Sequence, residues 1–378
     1  MRILHVTDTY LPRLGGIELH VSDLATRQAA RGDDVLVLTA EAAARTTRDA
    51  GSHAGSHAGS DAVPVVRMRG GVLNAGVATE LGPLVARFAP DVVHAHLSVG
   101  SPFSWSVLRG SAGIPVLATV HSLLPSFPWL LRTSMKVIGL PADRITFSAV
   151  SNAAAEPVRQ ALGPGRSVHV LPNGIDPAQW TVAHRRAEAV RILAVGRMAA
   201  RKRPLLLVEA LAELAHRDPE LEWSATLVGD GAQRARVATA IRAHGLGNRV
   251  RLLGVVDRGR IRELLGQSDV FVAPAALESF GIAALEARCA GVPVVAMASS
   301  GVTEFIQDGV NGLLARSDDD LARCLRDLAR DRSLRTAMRR HSTHAPVDVS
   351  WDRVLDRHTE LYARVAALQA GARATVQS

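Results

Sequence analysis

Short apolar runs alternate with stretches of helical spacing along nearly the whole chain. That rhythm predicts the buried strands and covering helices of parallel sheets. ILHVT (3–7) reads as a strand, Val21, Leu24 and Ala25 mark a helix over about 16–31, and VLVLT (35–39) is the next strand. The pattern resumes at VPVVRM (63–68), DVVHAH (91–96), IPVLATVH (114–121), SAVS (148–151) and VHVLPNGID (168–176). TVAHRRAEAV (181–190) is polar, has no strong period, and is expected to be a linker. A second series follows: RILAVGR (191–197), WSATLVGDG (223–231), VRLLG (250–254), DVFVAP (269–274), VPVVAM (292–297) and NGLLA (311–315). A final helix is expected over 351–368. Residues 1–182 and 183–349 therefore read as two doubly wound α/β domains, with 350–378 packing back on the first. The near-repeat DAGSHAGSHAGSD (49–61) has no periodic apolar face and reads as a surface loop.

Composition narrows the classes. The length of 378 residues fits two domains with sizeable cores, and no run of eighteen apolar residues occurs. MRILHVTD is a strand without a basic lead, so it is not read as a signal peptide and a cytoplasmic location is expected. Cys289 and Cys324 lie in helical patterns and read as buried thiols. The net charge is +8, yet Lys136 and Lys202 are the only lysines. With 4% aromatics and no arginine cluster interleaved with them, nucleic acid is not an expected partner. The basic balance is either silent or suits an anionic acceptor or membrane face.

Several loops carry candidate chemistry. APAALESFGIAALEARCAGVPVVA (273–296) places Glu278 in a strand-to-helix turn and Glu286 about one and a half turns into a helix that stops at Gly291 and Pro293. The backbone N–H groups of Ser279, Phe280, Gly281 and Ile282 would open that helix as an anion site. The spacing alone also fits a solvated helix with two surface glutamates. Gly15 and Gly16 open the first helix, where missing Cβ atoms let amides approach a phosphate; no G-x-G-x-x-G follows, which discounts a nicotinamide site. Arg197 and Lys202 lie at and after the end of a strand and suit a diphosphate, or are a solvated cap. His121 ends a strand at the carboxyl edge of the first sheet. His94 and His96 share one strand face and are expected at the strand end, lining a cleft, with no further metal ligands apparent. Asp318, Asp319 and Asp320 read as a helix N-terminus rather than a metal site.

Taken in order, GG (15–16), PDVVHAH (90–96), TVH (119–121), AVS (149–151), PNGID (172–176), GR-x4-K (196–202), VGDG (228–231), LLG (252–254) and ESFGIAALE (278–286) resemble the retaining glycosyltransferases of family 4. The resemblance implies the GT-B fold: two doubly wound Rossmann-like domains with parallel sheets facing a cleft. It implies that Arg197 and Lys202 hold a donor diphosphate with the amides of Gly15, Gly16 and residues 279–282. Glu286 would take the ribose, backbone at Val256 the base, and Glu278 the sugar hydroxyls. Tyr10, Glu18, His96 and His121 would lie on the acceptor side. It further implies transfer of a hexose from a nucleotide-diphosphate sugar, GDP-mannose slightly ahead of UDP-sugars, without a metal or other cofactor. Retention without an obvious nucleophile implies same-face attack, the leaving phosphate taking the acceptor's proton. The acceptor is a small molecule or a lipid. The 49–61 insert and the apolar loop 122–139, which reads as a lid, a core helix or an amphipathic membrane-facing segment, depart from the family pattern. The competing readings are a sugar-nucleotide epimerase or isomerase of similar build, and a non-catalytic sugar-nucleotide-binding protein.

Overall fold

The structure is a computed structural model, and it describes residues 1–13, 15–42, 63–68, 75–98, 100–111, 113–123, 133, 144–185, 187–345 and 347–377. The 49–61 near-repeat and nearly all of the 122–139 loop lie outside the described residues. The chain divides into two compact units, 1–174 with 351–378, and 175–350.

The first unit holds a seven-stranded parallel sheet: β1 (Arg2–Thr7), β2 (Asp34–Thr39), β3 (Val65–Arg67), β4 (Val92–Leu97), β5 (Val116–Val120), β6 (Ile145–Ala149) and β7 (Val168–Val170), in the order β3-β2-β1-β4-β5-β6-β7. Its strands read as continuous apolar runs because parallel sheets are covered on both faces. The order reverses between β1 and β4, so the crevice where doubly wound sheets take ligands lies beyond the ends of those two strands. The C-terminal helix, Trp351–Gln377, packs in this unit, as expected, but runs further than 368. Trp351, Val354 and Leu355 meet Leu24, while Leu361, Tyr362 and Val365 cover Ile3, Val92 and Leu117.

The second unit holds a six-stranded parallel sheet: β8 (Val190–Val195), β9 (Trp223–Val228), β10 (Val250–Gly254), β11 (Val270–Ala273), β12 (Val294–Met297) and β13 (Gly312–Ala315), in the order β10-β9-β8-β11-β12-β13. Here the switch point falls between β8 and β11. The helix Asp318–Arg330 shows how sequence makes the cover. Leu321, Leu325 and Leu328 recur on one face and are buried, and Ser317 caps its start by accepting from the Asp320 amide at 3.1 Å. The three aspartates are thus a helix N-terminus, as the pattern indicated.

Two expectations need correction. The VHVLPNGID strand is only three residues long in the sheet, because the turn at 171–176 leaves it to join the second unit at Ile175, which bridges to Ser350. Residues 181–190 are not a free linker. Arg185 donates its amide to the Gly266 carbonyl at 3.0 Å, and the His184 ring pairs with the Ala290 carbonyl at 2.6 Å. The two compact units divide at 174/175.

Candidate functional site

The two strands that flank the switch point of the second sheet each end in a loop carrying charge. After β8 come Gly196, the exposed Arg197 and a short 3-10 turn, Ala200–Lys202. After β11 comes the loop with Glu278. Lys202 Nζ donates to Glu278 Oε2, with side chains 25% and 16% exposed, so the two residues singled out separately in the sequence are in contact. Arg197 makes no side-chain bond or ion pair with another described residue.

The backbone around this pair is tightly set. A Cβ on Gly231 would stand 2.6 Å from the Met198 carbonyl oxygen, so the GDG turn after β9 packs directly on the loop that carries Arg197. Met198 donates to the Asp230 carbonyl at 2.8 Å and Gln233 donates to that of Met198 at 2.8 Å. On the other loop, Gly301 donates to the Glu278 carbonyl at 2.7 Å. Gly281 is left-handed (φ 91°) and caps the helix Ile282–Cys289. That helix starts later than expected. Its free N-terminal amides are those of Ile282, Ala283 and Ala284, whereas Ser279 and Phe280 belong to the turn, Phe280 buried against Phe305. Glu286 accordingly stands just over one turn in, 6% exposed and engaged in a polar contact of its own. Val256 follows β10 and is partly buried. Sequence patterns did not flag Arg288, which is 3% exposed and donates to the Ser342 and Ala345 carbonyls at 2.7 and 2.9 Å, tying this helix to 342–345. Burial holds its guanidinium below the ordinary arginine range. Burial also pushes the Cys289 thiol up to about 12 and that of Cys324 to about 11, so both are inert thiols.

In the first unit the expected residues separate into two groups. Gly15 and Gly16 do open a helix, Gly16–Ala30, but the Glu18 carboxylate lies against Gly15 and is 4% exposed. Arg13 pairs with it at 3.3 Å. The negative charge that this helix start favours is thus already supplied from within the chain. Tyr10 is 5% exposed and packs with Val21, Ala25, Val35, Val37 and Val63. Asp8, just past β1, accepts from the Phe103 and Ser104 amides at 2.9 and 3.1 Å and so caps the helix Pro102–Gly110.

His121 lies one residue past β5, at the sheet's carboxyl edge, 5% exposed. His94 and His96 share a face, as H-x-H spacing requires, but they do not line a strand end: both are buried, at 0% and 1% exposure, with ring centroids 4.1 Å apart. Pairing in register puts His5 beside His94 and Thr119 beside His96 and Ser148, a polar row on a sheet face otherwise covered by apolar side chains. Burial lowers every one of these histidines, His5 to about 4 and His121 to about 3. His5, His94 and His96 bring ligand atoms within 4.8 Å of one another. Yet both ring nitrogens of each are already bonded to protein partners: Gln28 and His96 for His5, Tyr362 and Thr119 for His94, His5 and His121 for His96. A metal would have to displace those bonds, so the donor set does not favour one.

The comparisons with known proteins agree with this architecture. Residues 14–179 match the profile described as Glycosyltransferase Family 4, and residues 182–344 that described as Glycosyl transferases group 1. The chain is 30% identical to a D-inositol 3-phosphate glycosyltransferase of Geodermatophilus obscurus, over 95% of this chain and 86% of that protein. It is 27% identical to a glycogen synthase of Mycobacterium tuberculosis, over 96% and 94%. Among solved structures, Anabaena HepE in complex with UDP superposes with a TM-score of 0.75 at 22% identity, covering 96% of this chain and 100% of that one. The likeness shows that this chain has the GT-B fold, built from two Rossmann-like units.

Proposed function

The chain belongs to the family 4, group 1 glycosyltransferases, and from that membership we propose that it moves a hexose from a nucleotide-diphosphate sugar to a hydroxyl of a small-molecule or lipid acceptor, with retention and without a metal ion. One observation carries the reading: Lys202 and Glu278, from the loops that follow the two strands flanking the second sheet's switch point, are in contact. The same loops carry Arg197, which no described residue pairs, and lead into the helix start at Ile282–Ala284.

The chemistry follows from what bond breaking demands. Cleaving an anomeric C–O bond to a diphosphate leaves negative charge on phosphate and positive character on the sugar. Arg197, Lys202 and a helix start supply positive charge to the first of these, the role a divalent cation plays elsewhere. Glu278 holds Lys202 in place before the donor arrives and, once the diphosphate takes the ammonium, is free to accept from sugar hydroxyls. Glu286 binds the ribose and the backbone at Val256 the base. His121, with Glu18 near the first helix start, serves the sugar and acceptor side. Tyr10 and His96 stand behind, in the core. Same-face attack lets the leaving phosphate accept the acceptor's proton, so Glu278 is not assigned as a nucleophile.

The resemblance of motifs leaned slightly toward GDP-mannose; the UDP complex of the structural neighbour supports a uridine donor first. The relatives' names differ in acceptor, inositol 3-phosphate against a glucan, so family membership leaves that choice open. The experiment is a transfer assay with UDP- and GDP-hexoses against myo-inositol 3-phosphate, phosphatidylinositol and α-glucan in EDTA, the product's anomeric configuration being read by NMR. Acceptor-dependent transfer with retained configuration supports the reading. Conversion of the donor sugar without any acceptor would instead point to an isomerase.

A further inference from the structure

The polar row in the first unit forms two hydrogen-bonded arms that meet at one carboxamide, that of Gln28, itself 3% exposed. One arm runs from Gln28 Oε1 to His5 Nε2 at 2.7 Å, from His5 Nδ1 to His96 Nε2 at 2.9 Å, and from His96 Nδ1 to His121 Nε2 at 2.9 Å. On the other, Gln28 Nε2 donates to the Tyr362 hydroxyl at 3.1 Å, which meets His94 Nδ1 at 2.7 Å; His94 Nε2 meets Thr119 Oγ1 at 2.7 Å, and Thr119 meets Ser148 Oγ at 2.6 Å.

A neutral imidazole has one N–H and one lone pair, and a carboxamide oxygen only accepts. The proton of His5 must therefore sit on Nε2, facing Gln28. Its Nδ1 is then an acceptor, so His96 donates from Nε2 and accepts at Nδ1. His121 in turn donates from Nε2, leaving a bare lone pair on Nδ1, which no described residue engages. The second arm follows the same logic. Tyr362 accepts from Gln28 and donates to His94 Nδ1, so His94 donates to Thr119 and Thr119 to Ser148. Burial keeps all three rings of the first arm uncharged, which is the condition for this argument. Every bond in both arms has one donor and one acceptor, as a buried polar network must.

We propose that Gln28 is a positioning residue: through His5 and His96 it sets the tautomer in which His121 presents Nδ1 as a hydrogen-bond acceptor. The consequence for catalysis rests on the reading of His121 as the histidine against sugar and acceptor. A bare Nδ1 accepts from a substrate hydroxyl; a protonated one would meet that hydroxyl donor to donor.

Replacing the carboxamide by an apolar group reverses the arm. In Gln28→Leu, His5 Nε2–H would be a buried donor without an acceptor. Shifting each proton to the other nitrogen of its ring exchanges that orphan N–H for an orphan lone pair, the less costly of the two to bury: His5 and His96 then donate from Nδ1, and His121 carries its proton on Nδ1.

The test is long-range 1H–15N correlation on the full chain labelled with 15N-histidine, taken without donor or acceptor. The wild type is expected to show His5, His96 and His121 all protonated on Nε2. A wild-type His121 protonated on Nδ1, or on both nitrogens, overturns the proposal, and this needs no variant to fold. Folded Gln28→Leu is expected to show His121 protonated on Nδ1, and an unchanged tautomer there also overturns it. In the transfer assay the same variant should lose about tenfold in kcat, roughly one hydrogen bond's worth, with donor KM unchanged. Because the spectra involve no substrate, they stand or fall separately from the assigned activity.

Discussion

Lys202 is one of only two lysines in a chain of 44 basic residues, and it is the one that meets Glu278. Arginine would offer a wider, planar fork; a lysine offers a compact charge that can pass from a carboxylate to a phosphate without rearranging a bidentate pair. Lys202→Ala should therefore weaken nucleoside-diphosphate binding about 10- to 100-fold, the range of a charge-assisted bond, by titration calorimetry. Equal affinity would remove Lys202 from the donor site. Glu278→Gln keeps the shape and removes the charge. It is expected to cut kcat by roughly 100-fold while leaving nucleotide affinity within a few-fold, since on the proposed reading its partner hydroxyls belong to the sugar. An unchanged kcat would show that Glu278 only anchors Lys202.

The helix Ile282–Cys289 depends on the turn that starts it. Gly281 combines a left-handed backbone with an added Cβ only 2.7 Å from Val302. Gly281→Ala should cost ~1–3 kcal/mol in denaturant melts and displace the amides of the proposed phosphate site. A neutral result would mean the turn relaxes at little cost. Elements like this one were legible because β11 is a continuous apolar run and Gly291, left-handed at φ 76°, marks the stop. The start was misplaced by the SFG turn, since a polar residue beside a glutamate looks locally like a cap. Likewise 181–190 looked like a linker because its ties, Arg185 to Gly266 and His184 to Ala290, are to distant backbone and carry no sequence signal. The histidine row was visible only as H-x-H. Its meaning lies in partners 23, 91 and 334 residues away: Gln28 from His5, His96 from His5, and Tyr362 from Gln28. No periodicity connects them.

For the whole molecule, the buried histidines make the first unit the acid-sensitive one. His5 and His121 stay neutral in the folded chain down to about pH 4 and about pH 3, whereas in the unfolded chain they take up protons near the ordinary 6.5. The unfolded state binds more protons between those values. Stability from this source is therefore complete above about pH 6.5 and declines as pH falls toward 4. Hydrogen exchange at pH 5 against pH 7, corrected for intrinsic rates, should show β1, β4 and β5 losing protection before β8, β9 and β11. Equal loss in both units would contradict it.

Donor recognition by the second unit can be read without knowing the acceptor. The full chain and its Lys202→Ala variant are melted in EDTA with UDP, GDP, ADP and their hexose conjugates. A clear rise in Tm with one nucleoside diphosphate and its sugar, absent or much reduced in the variant, is the expected result. It would fix the base and place a metal-independent diphosphate site at Lys202. No rise with any of them, or an equal rise in the variant, would contradict the assignment of that loop pair as the donor site.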